Sequence, residues 1–154
     1  MINNILKVLH NDLERYKNFE QNDNADKFLN TIDQIVSFQD PQSIPVIIGY
    51  FDDQSEYSWV LESMSKAIEH FNKIAYVPTL LKNINLFELR AQEWATILFF
   101  RILNDPTYLS LFSQNMHLAP KESLLKLFDL MEEESPHHVE IIKELRTELE
   151  KSHP

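Results

Sequence analysis

The chain has 154 residues, 44% hydrophobic and 25% charged, so it is long enough to bury a core without staples. It has no cysteine, which excludes disulfides, thiolate nucleophiles and cysteine-ligated zinc. A formal charge of -10, from 24 acidic and 14 basic residues, disfavours nucleic acid and anionic membranes as ligands and favours a basic protein partner.

The single glycine argues against phosphate-cradling loops and tight β-hairpins, leaving helices joined by polar or proline-started turns. Met1 to Leu9 is broken by Asn3, Asn4 and Lys7 and shows no cleavage site, so a cytoplasmic location is the default expectation. Ile2, Ile5, Leu6, Leu9 and Leu13 recur at helical spacing, predicting an amphipathic helix to about Phe19. A polar turn at Gln21 to Asn24 follows, with Asp23 or Asn24 as cap for a helix buried through Phe28, Leu29, Ile32, Ile35 and Val36. Asp40-Pro41, Asp105-Pro106, Ser135-Pro136 and, more weakly, Ala119-Pro120 read as helix starts. Pro45 and Pro78 lie later and should kink a helix or delay its start.

From Asp40 the chain repeats itself. Ile44-Pro45-Val46-Ile47-Ile48 and Phe51 return as Val77-Pro78-Thr79-Leu80-Leu81 and Ile84, 33 residues on. A second helix follows each: Trp59 with Lys66, then Trp94 with Arg101, offset by 35. Two helix–turn–helix units of this period predict antiparallel hairpins stacked as a HEAT-like α-solenoid of about eight or nine helices. The repeat-like core runs from roughly 40 to 104, within a single helical domain over residues 1–154. Ala91 to Asn104, apolar nearly all round, is its central helix, too short and too interrupted to span a membrane. Trp59 and Trp94 are expected in the core. Arg101 needs a partner, and Glu62, Glu69 or Glu93 is expected to give it a buried ion pair between the two hairpins. Short helices at Tyr108–Phe112 and Leu124–Met131 lead to a last helix with Val139, Ile142, Leu145 and Leu149, whose charged face reads as a polar end cap.

No constellation for catalysis stands out. His10, His70, His117 and His153 are scattered, and the adjacent His137 and His138 face different ways beside Glu140, so no metal site is expected. Ser63 three before Lys66 lacks supporting motifs. Glu132 to Glu134 read as solvated surface. Asp52, Asp53 and Glu56 cluster in the turn of the first unit, where solenoid turns present a binding face. Capping by Asp53 or Ser55 is an equally open reading.

The run Tyr76-Val77-Pro78 to Leu81, the block Ala91-x-Glu93-Trp94-Ala95, and Arg101-Ile102-Leu103-Asn104 resemble the immunity protein 30 family of bacterial polymorphic toxin systems. The likeness covers roughly residues 25 to 115, with Trp59, Trp94, Arg101 and Asn104 as structural motif residues. It implies an all-helical protein that neutralises a cognate toxin of its own cell by tight binding in the cytoplasm, with neither catalysis nor cofactor. Many such toxins are nucleases with basic clefts, which an acidic inhibitor can occlude. The expected face holds Asp52, Asp53 and Glu56, extended by Glu62, Glu88 and Glu93, and the expected partner is a basic toxin rather than nucleic acid or membrane. The alternative is a HEAT-like adaptor in a larger assembly. Toxin identity and oligomeric state are not encoded.

Overall fold

The computed structural model describes residues 2–152; the side chain of Ile2 and all of His153 lie outside the described residues. The chain is all-α. Among the described residues there are nine α-helices: α1 (Ile2–Tyr16), α2 (Asn24–Ser37), α3 (Ser43–Ile48), α4 (Ser58–Ile68), α5 (Lys73–Lys82), α6 (Gln92–Leu103), α7 (Pro106–Asn115), α8 (Lys121–Glu134) and α9 (Val139–Ser152). Single 3-10 turns at Ile84–Phe87, Met116–Leu118 and Pro136–His138 join some of them.

Local chemistry sets the boundaries. Asp105 accepts from the N–H groups of Thr107 (2.9 Å) and Tyr108 (3.2 Å) and caps α7, with Pro106 in the first turn. Asn72 caps α5 by accepting from Ile74 N–H at 2.9 Å. Asp40 accepts from Gln42 N–H at 3.0 Å, but Pro41 lies in a turn and α3 begins two residues later. Ser135-Pro136 opens the 3-10 turn that leads into α9. α2 starts beside Asp23, whose side chain makes no cap bond. Pro45 falls in the first turn of α3, where its missing N–H costs nothing, whereas Pro78 lies inside α5. The only glycine, Gly49, has ordinary helical φ. Left-handed backbone falls instead on Asn22 and Gln39, with φ 42° and 54°. At Gln39 the strain is offset by a clamp: its amide donates to His70 C=O at 2.8 Å and accepts from Asn72 N–H at 2.7 Å, tying two successive turns together.

Besides the neighbouring pairs α1 with α2 and α6 with α7, the main contacts skip one helix: α2 on α4, α3 on α5, α5 on α7 and α6 on α8. Helices α3 and α4, like α5 and α6, approach each other closely at few points, so shared neighbours hold each pair together. This packing is consistent with a helical solenoid. The burial pattern carries the same message over more of the chain than the two expected units. Ile44, Ile47 and Ile48 match Val77, Leu80 and Leu81 at a spacing of 33, and Val60, Met64, Ala67 and Ile68 match Ala95, Phe99, Ile102 and Leu103 at 35. Upstream, Leu9 and Leu13 precede Ile44 and Ile48 by 35, and Phe28, Ile32, Ile35 and Val36 precede Val60, Met64, Ala67 and Ile68 by 32. Downstream, Phe112 and Met116 follow Leu80 and Ile84 by 32, and Leu124, Leu127, Phe128 and Met131 follow Ala95, Leu98, Phe99 and Ile102 by 29. The inward-facing register thus recurs through four helix pairs, while the turns between them change length. Helix α9 closes the end, burying Ile142, Leu145 and Leu149, and Arg146 bridges back to Asp129 (2.6 Å) and Glu132 (2.8 Å) of α8.

Three expectations need correction. Trp59 is not a core residue but 52% exposed, because α4 places Val60 and Leu61 inward and leaves the preceding position on the outer face. Trp94 is half-buried, its indole 5.6 Å from the Phe51 ring. The central helix does have a wet stripe, formed by Glu93, Ile97 and Arg101 at helical spacing. Arg101 finds Glu69, as one of the three candidates, but the pair is part-exposed rather than buried, with the Arg101 side chain 46% accessible.

Phe112 links three helices of the core, its ring 5.8 Å from Phe99 and 6.2 Å from Phe128. Phe112→Ala is expected to cost about 3–5 kcal/mol in chemical denaturation. A loss under about 1 kcal/mol would show that α6, α7 and α8 do not share one close-packed core.

Candidate partner-binding edge

The turns inside successive helix pairs, residues 17–23, 49–57 and 83–91, meet along one edge. A cleft of about 530 Å³ draws its walls from all three: Lys17 and Glu20 with Glu14 just before them, Tyr50, Asp52 and Glu56 in the second turn, and Arg90 in the third. A second hollow of about 450 Å³ lies between the latter two turns, lined by Asp52, Asp53, Gln54, Glu88, Leu89, Arg90 and Gln92. Together the two hollows present six carboxylates (Glu14, Glu20, Asp52, Asp53, Glu56 and Glu88) against two cations, Lys17 and Arg90.

Asp53 organises this edge. Its carboxylate accepts from the backbone N–H groups of Glu93 at 3.0 Å and Trp94 at 3.2 Å, and its own N–H donates to Arg90 C=O at 2.7 Å. Ala91, at the start of α6, has no side chain with which to cap it. The cap therefore comes from 40 residues away, and the anion sits where the helix dipole favours it. Arg90 closes the link by donating to Gly49 C=O at 2.5 Å. The two turns are fixed to each other by backbone–carboxylate, backbone–backbone and guanidinium–carbonyl bonds.

The remaining acids are less committed. Asp52 accepts from Gln54 N–H at 2.9 Å, a local turn bond, and reaches both hollows. Ser55 accepts from Tyr57 N–H at 3.2 Å ahead of α4. Glu56 is exposed on the first cleft and Glu88 on the second. Glu93 is exposed beside the Asp53 cap. Glu62 lines neither hollow; it sits on the outer face of α4 and pairs with Lys66 at 3.5 Å. The structure therefore gathers Asp52, Asp53, Glu56 and Glu88, sets Glu93 at their margin, and leaves Glu62 apart.

Sequence reasoning missed the contribution of α1. Glu14 accepts from Tyr50 O–H at 2.7 Å and from Lys17 at 2.8 Å. Those bonds, Lys17 first, hold its carboxyl below the usual range. Tyr50 is pushed above its ordinary value by burial and then by Glu14. Extending the repeat one unit upstream would have put Glu20 and its turn beside Asp53. Leu89, 91% exposed in the second hollow, carried no sequence signal at all.

Asn104 follows α6, and its Oδ1 accepts from His138 Nε2 at 2.7 Å; that leaves His138 Nδ1 to accept from the Ser135 hydroxyl, also at 2.7 Å. The His138 ring lies 4.8 Å from Phe100. Its nitrogens are thus used in joining α6 to the end of α8. Among the described residues no group of three or more histidine or acidic side chains is placed to hold a metal.

These features define a class: an all-α helical stack with charged hollows along one turn edge. The Immunity protein 30 family profile matches residues 15–112, and the chain belongs to that family. No curated protein and no solved structure matches it. Immunity proteins are binding proteins of bacteria and not enzymes, and membership implies a cognate toxin as partner.

Asp53→Ala is expected to cost about 1–2 kcal/mol in denaturant unfolding, the range for a helix cap. Arg101→Ala should cost no more than about 1 kcal/mol, because its pair with Glu69 is open to solvent. The reverse ranking of the two variants would contradict the placement of Asp53 as the organising contact.

Proposed function

We propose that this immunity protein neutralises its toxin by seating the acidic turn edge against a basic surface of the toxin, blocking that surface sterically and electrostatically. The observation that carries the reading is the excess of carboxylates in two adjoining hollows whose turns are locked together by Asp53. A fixed array of like charge raises the encounter rate with a basic partner and loses little entropy on docking. A nuclease toxin, whose cleft is built for phosphates, has the matching sign. In this reading the helices form a HEAT-like array that acts in the cytoplasm, and its stacked turns set the spacing of the acids.

Asp53 is engaged in the fold, so the test uses its less committed neighbours. Reversing Asp52, Glu56 and Glu88 to Lys together should slow association with the cognate toxin about 10-fold or more at low salt and flatten its salt dependence. The folded state, followed by circular dichroism, should be retained. Unchanged association in a folded triple variant would move the interface off this edge.

A further inference from the structure

Tyr76 is among the largest fully buried side chains, 1% exposed, and its hydroxyl is the one buried side-chain polar atom among the described residues with no hydrogen-bond partner. Such a group costs about 1–3 kcal/mol if nothing satisfies it, so native proteins rarely leave one alone. Tyr76 lines a hollow of about 10 Å³ whose other walls are Glu69, Arg101, Ile102 and Tyr108. Burial foremost, and then the Glu69 charge, push its hydroxyl above the ordinary tyrosine value, so it stays protonated and needs an acceptor. The Arg101 guanidinium donates to both Glu69 carboxylate oxygens, one bond at 3.0 Å, and forms part of the wall. The Tyr108 hydroxyl donates to Glu69 C=O at 3.4 Å.

Size and charge limit what the hollow can hold. The space suffices for one water, and a buried water needs two to four polar partners. A metal cation would meet the Arg101 guanidinium, and the only carboxylate there is already neutralised by it. An anion would meet the Glu69 carboxylate, and a bulky organic group exceeds the space. We propose that this hollow is a binding site for a single water molecule that accepts from the Tyr76 hydroxyl, donates to the Glu69 carboxylate, and is retained by Arg101 acting as a lid. The water joins α5 to the end of α4, with α6 and α7 forming the remaining walls. It lies at the Glu69 end of α4, away from the acidic turn edge, and is independent of toxin binding.

A high-resolution crystal structure of the unaltered protein tests this directly, whatever the variants do. It should show one water at about 2.8 Å from Tyr76 Oη. A dry hollow, or Tyr76 Oη bonded directly to Glu69, overturns the proposal. In solution, magnetic relaxation dispersion should count one long-lived water fewer in Tyr76→Phe. In Arg101→Ala the same water should remain with a shorter residence time. An unchanged count in Tyr76→Phe, or an unchanged residence time in Arg101→Ala, contradicts the site or its lid respectively.

Discussion

The structure depends on a carboxylate in one turn that caps a helix beginning in the next. The Asp53 side chain takes two N–H groups at the start of α6 that no local residue can satisfy, since Ala91 stands in the capping position. A helix start left uncapped in a half-buried setting is unfavourable, and a distant cap makes the helix conditional on the turn. Two turns that would otherwise be loosely placed surface loops become one surface. The backbone that carries the acids around Asp53 is therefore held in place, which turns an acidic composition into an acidic site.

Much of the fold was legible because it is local. Ile44 to Leu81 repeats through a helical period, and Asp105-Pro106 names its own helix start; both depend on neighbours a few residues away. The outer repeat units escaped notice because their turns differ in length and their core residues differ in kind: Phe28 stands where Val60 and Ala95 do. Inward direction is preserved while identity is not, and only the packed structure shows direction. Trp59 failed for the related reason that residue type was given more weight than phase. Its neighbours Val60 and Leu61 take the inward positions, and the largest side chain in the helix is left outside.

The candidate site was legible as a list and not as an arrangement. Asp52, Asp53 and Glu56 are adjacent in sequence, so their clustering was visible. Asp53 turning toward α6 was not, because a bond spanning 40 residues leaves no local trace. The same holds for Glu14, brought to the edge by Tyr50 across 36 residues. Glu62 looked equivalent to the others by charge and period, yet faces outward from α4 with Lys66. Family membership supplies what neither composition nor geometry contains: that the chain's partner is a toxin. The geometry in turn offers one edge that is both charged and rigid, on which an interface can form without reordering the backbone.

The central claim is that this edge is the toxin-binding face. Amide hydrogen exchange of the protein, free and bound to its cognate toxin, tests it most directly. The account predicts new protection concentrated in residues 17–23, 49–57 and 83–91, with the opposite side around Ile74 and Pro106 to Leu111 unchanged. Protection on that opposite side, with the three turns exchanging as in the free protein, would contradict it.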